Sequence, residues 1–258
     1  MFFKLFRKKD KAPVYSRQKM AAELEIARQQ LEADLEANGI KFLLSKMNCD
    51  EVYSPLVLEK QRMEGSYSSE DTVSIHAFKQ SGKLNSPDDK KELLALLSDP
   101  AYNDQRRNIY CCLSSLCSNT NDIELFDFLM GVIEKEDDDR TTISILSRLK
   151  EMKKPFNANI GLIKRLLVEG TDSIRIAASK ALSNTNDPEV EDIILDEFKI
   201  SDRHSKAMFC TPLESVGTTK SIPVLQEALK QTRDPFLRES IEYVIQLIRQ
   251  RTPPAGQS

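Results

Sequence analysis

Apolar or small residues recur along this chain with a step of about 32. One column runs Leu113, Ile145, Ala178, Phe209 and Ile241, at spacings of 32, 33, 31 and 32. A second runs Cys117, Leu149, Leu182, Leu213 and Ile245 with the same steps. The columns lie one helical turn apart, so both belong to a single helix face. A third, Phe128, Ile160, Ile193 and Leu225, falls between them at steps of 32, 33 and 32. The pentapeptide Ser118-Asn119-Thr120-Asn121-Asp122 returns at Ser183–Asp187, 65 positions on, which is about twice the same step. Sustained self-similarity of this kind marks stacked units, none of which can bury its apolar face alone.

Turn chemistry divides the repeating part into pairs. Helices are predicted at 70–80 and 87–97, 103–117 and 122–134, 140–152 and 158–169, 172–183 and 188–199, and 203–215 and 220–230, with a last one at 234–250. Asp187-Pro188 is the clearest start, an N-cap followed by a residue with preset φ. Ahead of the pairs, Met20, Leu24, Ala27, Leu31 and Leu35 form a stripe on a helix from Ser16 to about Asn38, closed by Gly39. Shorter helices are expected near 40–47 and 55–64. The expected organisation is a segment 1–15, an N-terminal helical cap over 16–65, an all-α solenoid over 70–250 and a disordered tail over 251–258.

Composition agrees. The 258 residues include 8 glycines and no tryptophan, and 30% are charged, which suits helices better than a turn-rich β-sandwich. The net charge of −3 provides no global pull toward nucleic acid. Five cysteines without CxxC spacing, and no signal-peptide or membrane-span pattern, point to a reducing, cytoplasmic setting. Cys117, aligned with leucines and an isoleucine, is expected to be a small core hydrophobe.

The best single unit, Asp172 to Leu182 with Arg175, Ala178 and Ala181, resembles the first-helix pattern of HEAT repeats. Its isoleucine lies one place nearer the aspartate than in that pattern. Asp234 and Arg238 echo it, and Lys206 holds the arginine position between them. Tyr110 and Thr142 take that position in earlier units, so the likeness fades toward the N-terminus. The period is similar to that of short HEAT-like repeats common in bacterial proteins, including the bilin lyase group. The resemblance implies an α-solenoid and a binding role, with a lyase-type enzyme or enzyme accessory as the alternative. An Arg175, Lys206 and Arg238 ion-pair ladder between units is the structural expectation.

Catalytic constellations are not legible. His76 and His204 are the two histidines, and neither is followed by glutamate as in HEAT-type di-iron enzymes. No phosphate-binding or nucleophile-elbow motif occurs. The expectation is a non-enzymatic scaffold with no cofactor or metal, binding a partner protein on the concave side lined by second helices. Its graded charge runs from Lys164 and Arg165 to Glu189, Glu191, Asp192, Asp196 and Glu197. Arg148, Lys150, Lys153 and Lys154, with Lys164 and Arg165, read first as a solvated helix face, with a basic edge that meets an acidic partner or RNA as the alternative. At the N-terminus, Phe2, Phe3, Leu5 and Phe6 with Lys4, Arg7, Lys8 and Lys9 suit reversible contact with an anionic membrane surface, at the inner face of the membrane. A tail packed on the first helix is the equal alternative.

Overall fold

The computed structural model describes residues 17–65, 68–154 and 158–251. The basic, phenylalanine-rich start of the chain, the Ser16 cap and the residues after Arg251 lie outside the described residues. Among the described residues the protein is all-α, with fourteen α-helices, three 3₁₀ turns and no strand. None of these helices is long and apolar enough to cross a membrane. The chain divides into two compact units between Gln80 and Ser81.

The first unit holds α1 (Arg17–Ala37), α2 (Gly39–Met47), α3 (Pro55–Glu64) and nearly all of α4 (Val73–Ser81). Met20 and Leu24 of the predicted stripe pack on Val57, with Val52, Tyr53 and Leu56 around them. Gly39 has φ +73°, the left-handed conformation that lets the chain turn from α1 directly into α2. Sequence pattern has the helix at 70–80 open the array, but the division falls one helix later. The reason is a set of backbone ties: Val73 N–H donates to the Glu51 carbonyl at 2.9 Å and Ser74 N–H to that of Cys49 at 3.2 Å. Buried His76 adds edge contact with Tyr53 at 5.3 Å between ring centres.

The second unit continues with α5 (Pro87–Leu97), α6 (Arg106–Thr120), α7 (Ile123–Ile133), α8 (Asp139–Arg148), α9 (Gly161–Glu169) and α10 (Asp172–Ala181). It ends with α11 (Pro188–Ile200), α12 (Arg203–Val216), α13 (Ser221–Gln231) and α14 (Pro235–Arg251). The first helices α6, α8, α10, α12 and α14 pack in succession, each closely on the next. The second helices α9, α11 and α13 follow the same order at looser spacing. Three second helices lie mainly against the first helix that follows, α9 on α10, α11 on α12 and α13 on α14, whereas α7 lies mainly against α6 before it.

Both first-helix columns are buried throughout; Leu113, Ile145, Ala178 and Ile241 have no exposed surface and Phe209 has 1%. The second-helix column holds at two positions and slips by one residue at the other two. Two of its members, Ile160 and Leu225, are buried, but Phe128 is 41% exposed and Ile193 only half-buried, and there the next residues, Leu129 and Ile194, take the core. Spacing in the second helices is irregular because their looser contacts do not force one repeat length. Aspartates and serines begin many of these short helices: Ser54, Ser86, Asp122, Asp138, Asp187 and Asp202 each accept from a first-turn amide. Each such cap contributes roughly 1 kcal/mol.

The repeated pentapeptide performs one job twice. Asn119 Nδ2 donates to the Gly82 and Leu84 carbonyls at 2.8 Å, and Asn184 Nδ2 donates to the Lys150 carbonyl at 3.1 Å. Each asparagine thereby ties its turn to the turn of the preceding pair. Asn121 Oδ1 accepts from Lys153 N–H of the following turn, and Asn184 N–H donates to Ser215 Oγ. Arg251 closes the series on the carbonyls of Ser215 and Gly217. Asn121 and Asn184 take φ of +52° and +56°, tolerable because asparagine is the non-glycine residue best suited to the left-handed region.

Ala178 is fully buried on α10, a helix packed against α8, α9 and α12. Ala178→Glu is expected to cost at least about 4 kcal/mol, since it buries an unpaired charge in a packed core. Thermal unfolding followed by circular dichroism checks this; an unshifted transition would contradict the packing described.

Candidate interaction surface

The looser packing of the second helices leaves grooves between them. One, of about 540 Å³, lies between α7 and α9 and is lined by Asp127, Gly131, Asn159, Gly161, Leu162 and Arg165 among others. Another, of about 470 Å³, lies between α11 and α13, with Phe198, Pro223, Val224 and Ala228 as its apolar wall. Exposed Phe128, Val168 and Ile200 belong to the same set of helices, Ile200 being 76% accessible. Val168 and Ile200 stand one repeat apart, each near the C-terminal end of its helix.

The charges expected to grade this face are already engaged with one another. Lys164 reaches Asp187 at 2.5 Å and Glu189 at 2.8 Å, which joins α9 to the start of α11. Burial opposes both charged forms, yet pairing wins: the Lys164 ammonium is raised and the Asp187 carboxyl lowered from their ordinary values. Asp192 is paired with Lys220, and Asp196 with Lys199 at 2.8 Å. Arg165 stands 3.8 Å from Glu134 and is half exposed, so it is the least committed of the expected charges.

Two acids in that expected gradient are not on the surface. Glu197 is buried against Arg175, and Glu191 is 6% exposed. Glu191 accepts from Thr218 N–H at 2.8 Å and from the hydroxyls of Thr218 and Ser221, at the start of α13. A carboxylate there satisfies otherwise orphaned amides and complements the positive end of the helix. Sequence alone misses this because Glu191 lies in an acidic run that reads as solvated; the signal is the Thr-Thr-Lys-Ser turn 27 to 30 residues on.

The basic cluster is dispersed. Arg148 turns toward Cys111 Sγ at 3.3 Å and Ser81 Oγ at 3.4 Å, on the preceding helices. Lys154 is 1% exposed and donates to three carbonyls, Leu149 at 2.8 Å, Met152 at 3.1 Å and Ser183 at 3.1 Å. Its three protons are thus satisfied without a paired carboxylate. Burial lowers its pKa to about 8 despite the opposing fields of Cys117 and Glu151.

The arginine position does not form a ladder between units. Arg175 Nε donates to the Leu167 carbonyl at 3.2 Å, and Arg238 to that of Leu229 at 2.9 Å. Both close the C-terminal end of the preceding second helix, where free carbonyls accumulate. Arg106 does the same for Leu97 at 3.4 Å while also donating to Tyr110 Oη at 2.7 Å. Cys117 is fully buried as expected, and burial pushes its thiol up to about 12, so it remains protonated. His204 is exposed at the start of α12. No group of His, Cys, Asp and Glu that could hold a metal occurs among the described residues. No protein-family model matches the chain, and no curated protein matches it.

The Lys154 site sets a sign for the pH dependence of stability. Its folded pKa lies below the unfolded value of 10.5, so the folded state carries a penalty for the ammonium below about pH 8. The penalty disappears as pH rises from about 8 to 10.5. Relative to Lys154→Met, the native chain should gain up to about 3 kcal/mol across that window. Urea unfolding of both proteins at pH 7 and pH 10 measures it, and a constant difference would rule out the buried ammonium.

Proposed function

We propose that the chain is a HEAT-like scaffold that holds a partner protein on the face formed by its second helices. One observation carries this reading: closely stacked first helices, with looser second helices that leave grooves and exposed apolar residues between them. Phe128, Val168 and Ile200 stand in water on three successive second helices, α7, α9 and α11, where they suit a surface that another protein covers. Because most ionic groups here are internally paired, affinity comes from apolar contact in the grooves. Less committed charges such as Arg165 contribute to orientation and encounter rate.

A photo-crosslinking amino acid placed at Phe128 or Ile200, in the cell that makes the protein, is expected to give one dominant protein adduct. The same probe at Ser147 or Tyr243, exposed on the first helices, is expected to give none. Equal labelling from both faces would contradict the assignment. Arg165→Glu should slow capture of that partner several-fold at low salt without loss of helicity. Lys164→Glu should also destabilise the fold, because it breaks the tie to Asp187 and Glu189.

A further inference from the structure

Position 206 departs from the pattern set by its neighbours. Arg175 and Arg238, 31 positions before and 32 after it, each donate to the last-turn carbonyl of the preceding helix. The corresponding carbonyl for Lys206 belongs to Phe198. Lys206 makes no hydrogen bond or ion pair among the described residues; its ammonium lies 5.8 Å above the Phe198 ring. Of the three cations at this repeat position, two therefore close helix ends and the third is left in the α11–α13 groove.

That groove otherwise has its charges satisfied. Lys199 is paired with Asp196, and Glu227 holds Lys230 at 3.2 Å and Gln231 at 2.9 Å. Lys206 is the one charge in the lining with no opposite partner among the described residues. It stands beside an apolar wall of Phe198, Pro223, Val224 and Ala228. A volume of about 470 Å³ lies within the range of roughly 300–1,000 Å³ typical of binding clefts. The groove opens onto the second-helix face, which suits part of an extended chain.

We propose that the α11–α13 groove binds a peptide segment of the partner in which an aromatic or aliphatic side chain is followed by a carboxylate. The apolar side chain enters against Pro223, Val224 and Ala228, and the carboxylate pairs with Lys206. The flank of an aromatic ring that already carries a cation favours such a pair, since the ammonium is partly desolvated before binding. This inference rests on the scaffold reading and names the chemistry of its ligand.

The test uses fluorescence anisotropy with the full chain and three labelled 12-residue peptides that differ only at a central pair: Phe-Glu, Phe-Lys and Ser-Glu. Phe-Glu is expected to bind at least tenfold more tightly than either of the others. Lys206→Glu should invert the preference between Phe-Glu and Phe-Lys, and Val224→Asp should abolish binding, with helicity by circular dichroism unchanged in both. Equal binding of the three peptides, no binding of Phe-Glu, or a preference unaffected by Lys206→Glu would overturn the proposal. If the peptides fail while Phe128 and Ile200 still give a single crosslinked partner, the groove assignment falls and the scaffold reading stands. Loss of both results removes the scaffold reading as well.

Discussion

A helix of about ten residues has an apolar face it cannot cover and two ends it cannot satisfy. The second unit is organised around meeting both needs in every repeat. Burial of the paired first-helix columns meets the first: each helix offers its face to the one before and the one after. The ends are met by a recurring set of polar groups, with aspartate or serine at many starts and arginine at three second-helix C-termini. Where a repeat departs from that set, another group takes over. Glu191 reaches across to the start of α13, whose own N-cap residue, Lys220, makes no capping bond.

The first-helix layer was legible because close packing imposes a strict period, and strict periods survive in sequence as columns. Leu113 through Ile241 and Cys117 through Ile245 all occupy the interior that their spacing assigns. Helix limits follow from Pro188, Asp187 and similar punctuation, within a few residues. The second-helix column fails where packing loosens: with several acceptable registers, Phe128 and Leu129 cannot be told apart by spacing. The boundary of the first unit is hidden for a different reason. The ties that hold α4 to residues 49–53 are backbone hydrogen bonds, and backbone groups leave no trace in side-chain pattern.

The second helices were legible as a layer, and two grooves with exposed Phe128, Val168 and Ile200 lie along them, though exposed Phe236 and Tyr243 stand on α14. Individual charges mislead because charge says nothing about partners. Lys154 and Glu191 look like their solvated neighbours in sequence, yet both are buried and fully engaged. Lys164 and Glu189, which read as points of a gradient, bind each other. The exception at position 206 emerges only when equivalent residues are compared by what they touch.

The turns joining first to second helices are linked from pair to pair through main-chain groups: Asn119 to Gly82, Asn121 to Lys153, Asn184 to Lys150 and Lys154 to Ser183. Across the opposite edge, the links include exposed side-chain pairs such as Thr171 with Asp139 and Arg203 with Asp234. Such pairs contribute little when solvated. At that edge residues 170–171, 201–202 and 232–234 also join one pair to the next through the chain itself. Both margins therefore keep their length, and it is the layer of second helices, packed more loosely than the first, that lets a partner alter groove width without breaking the stack.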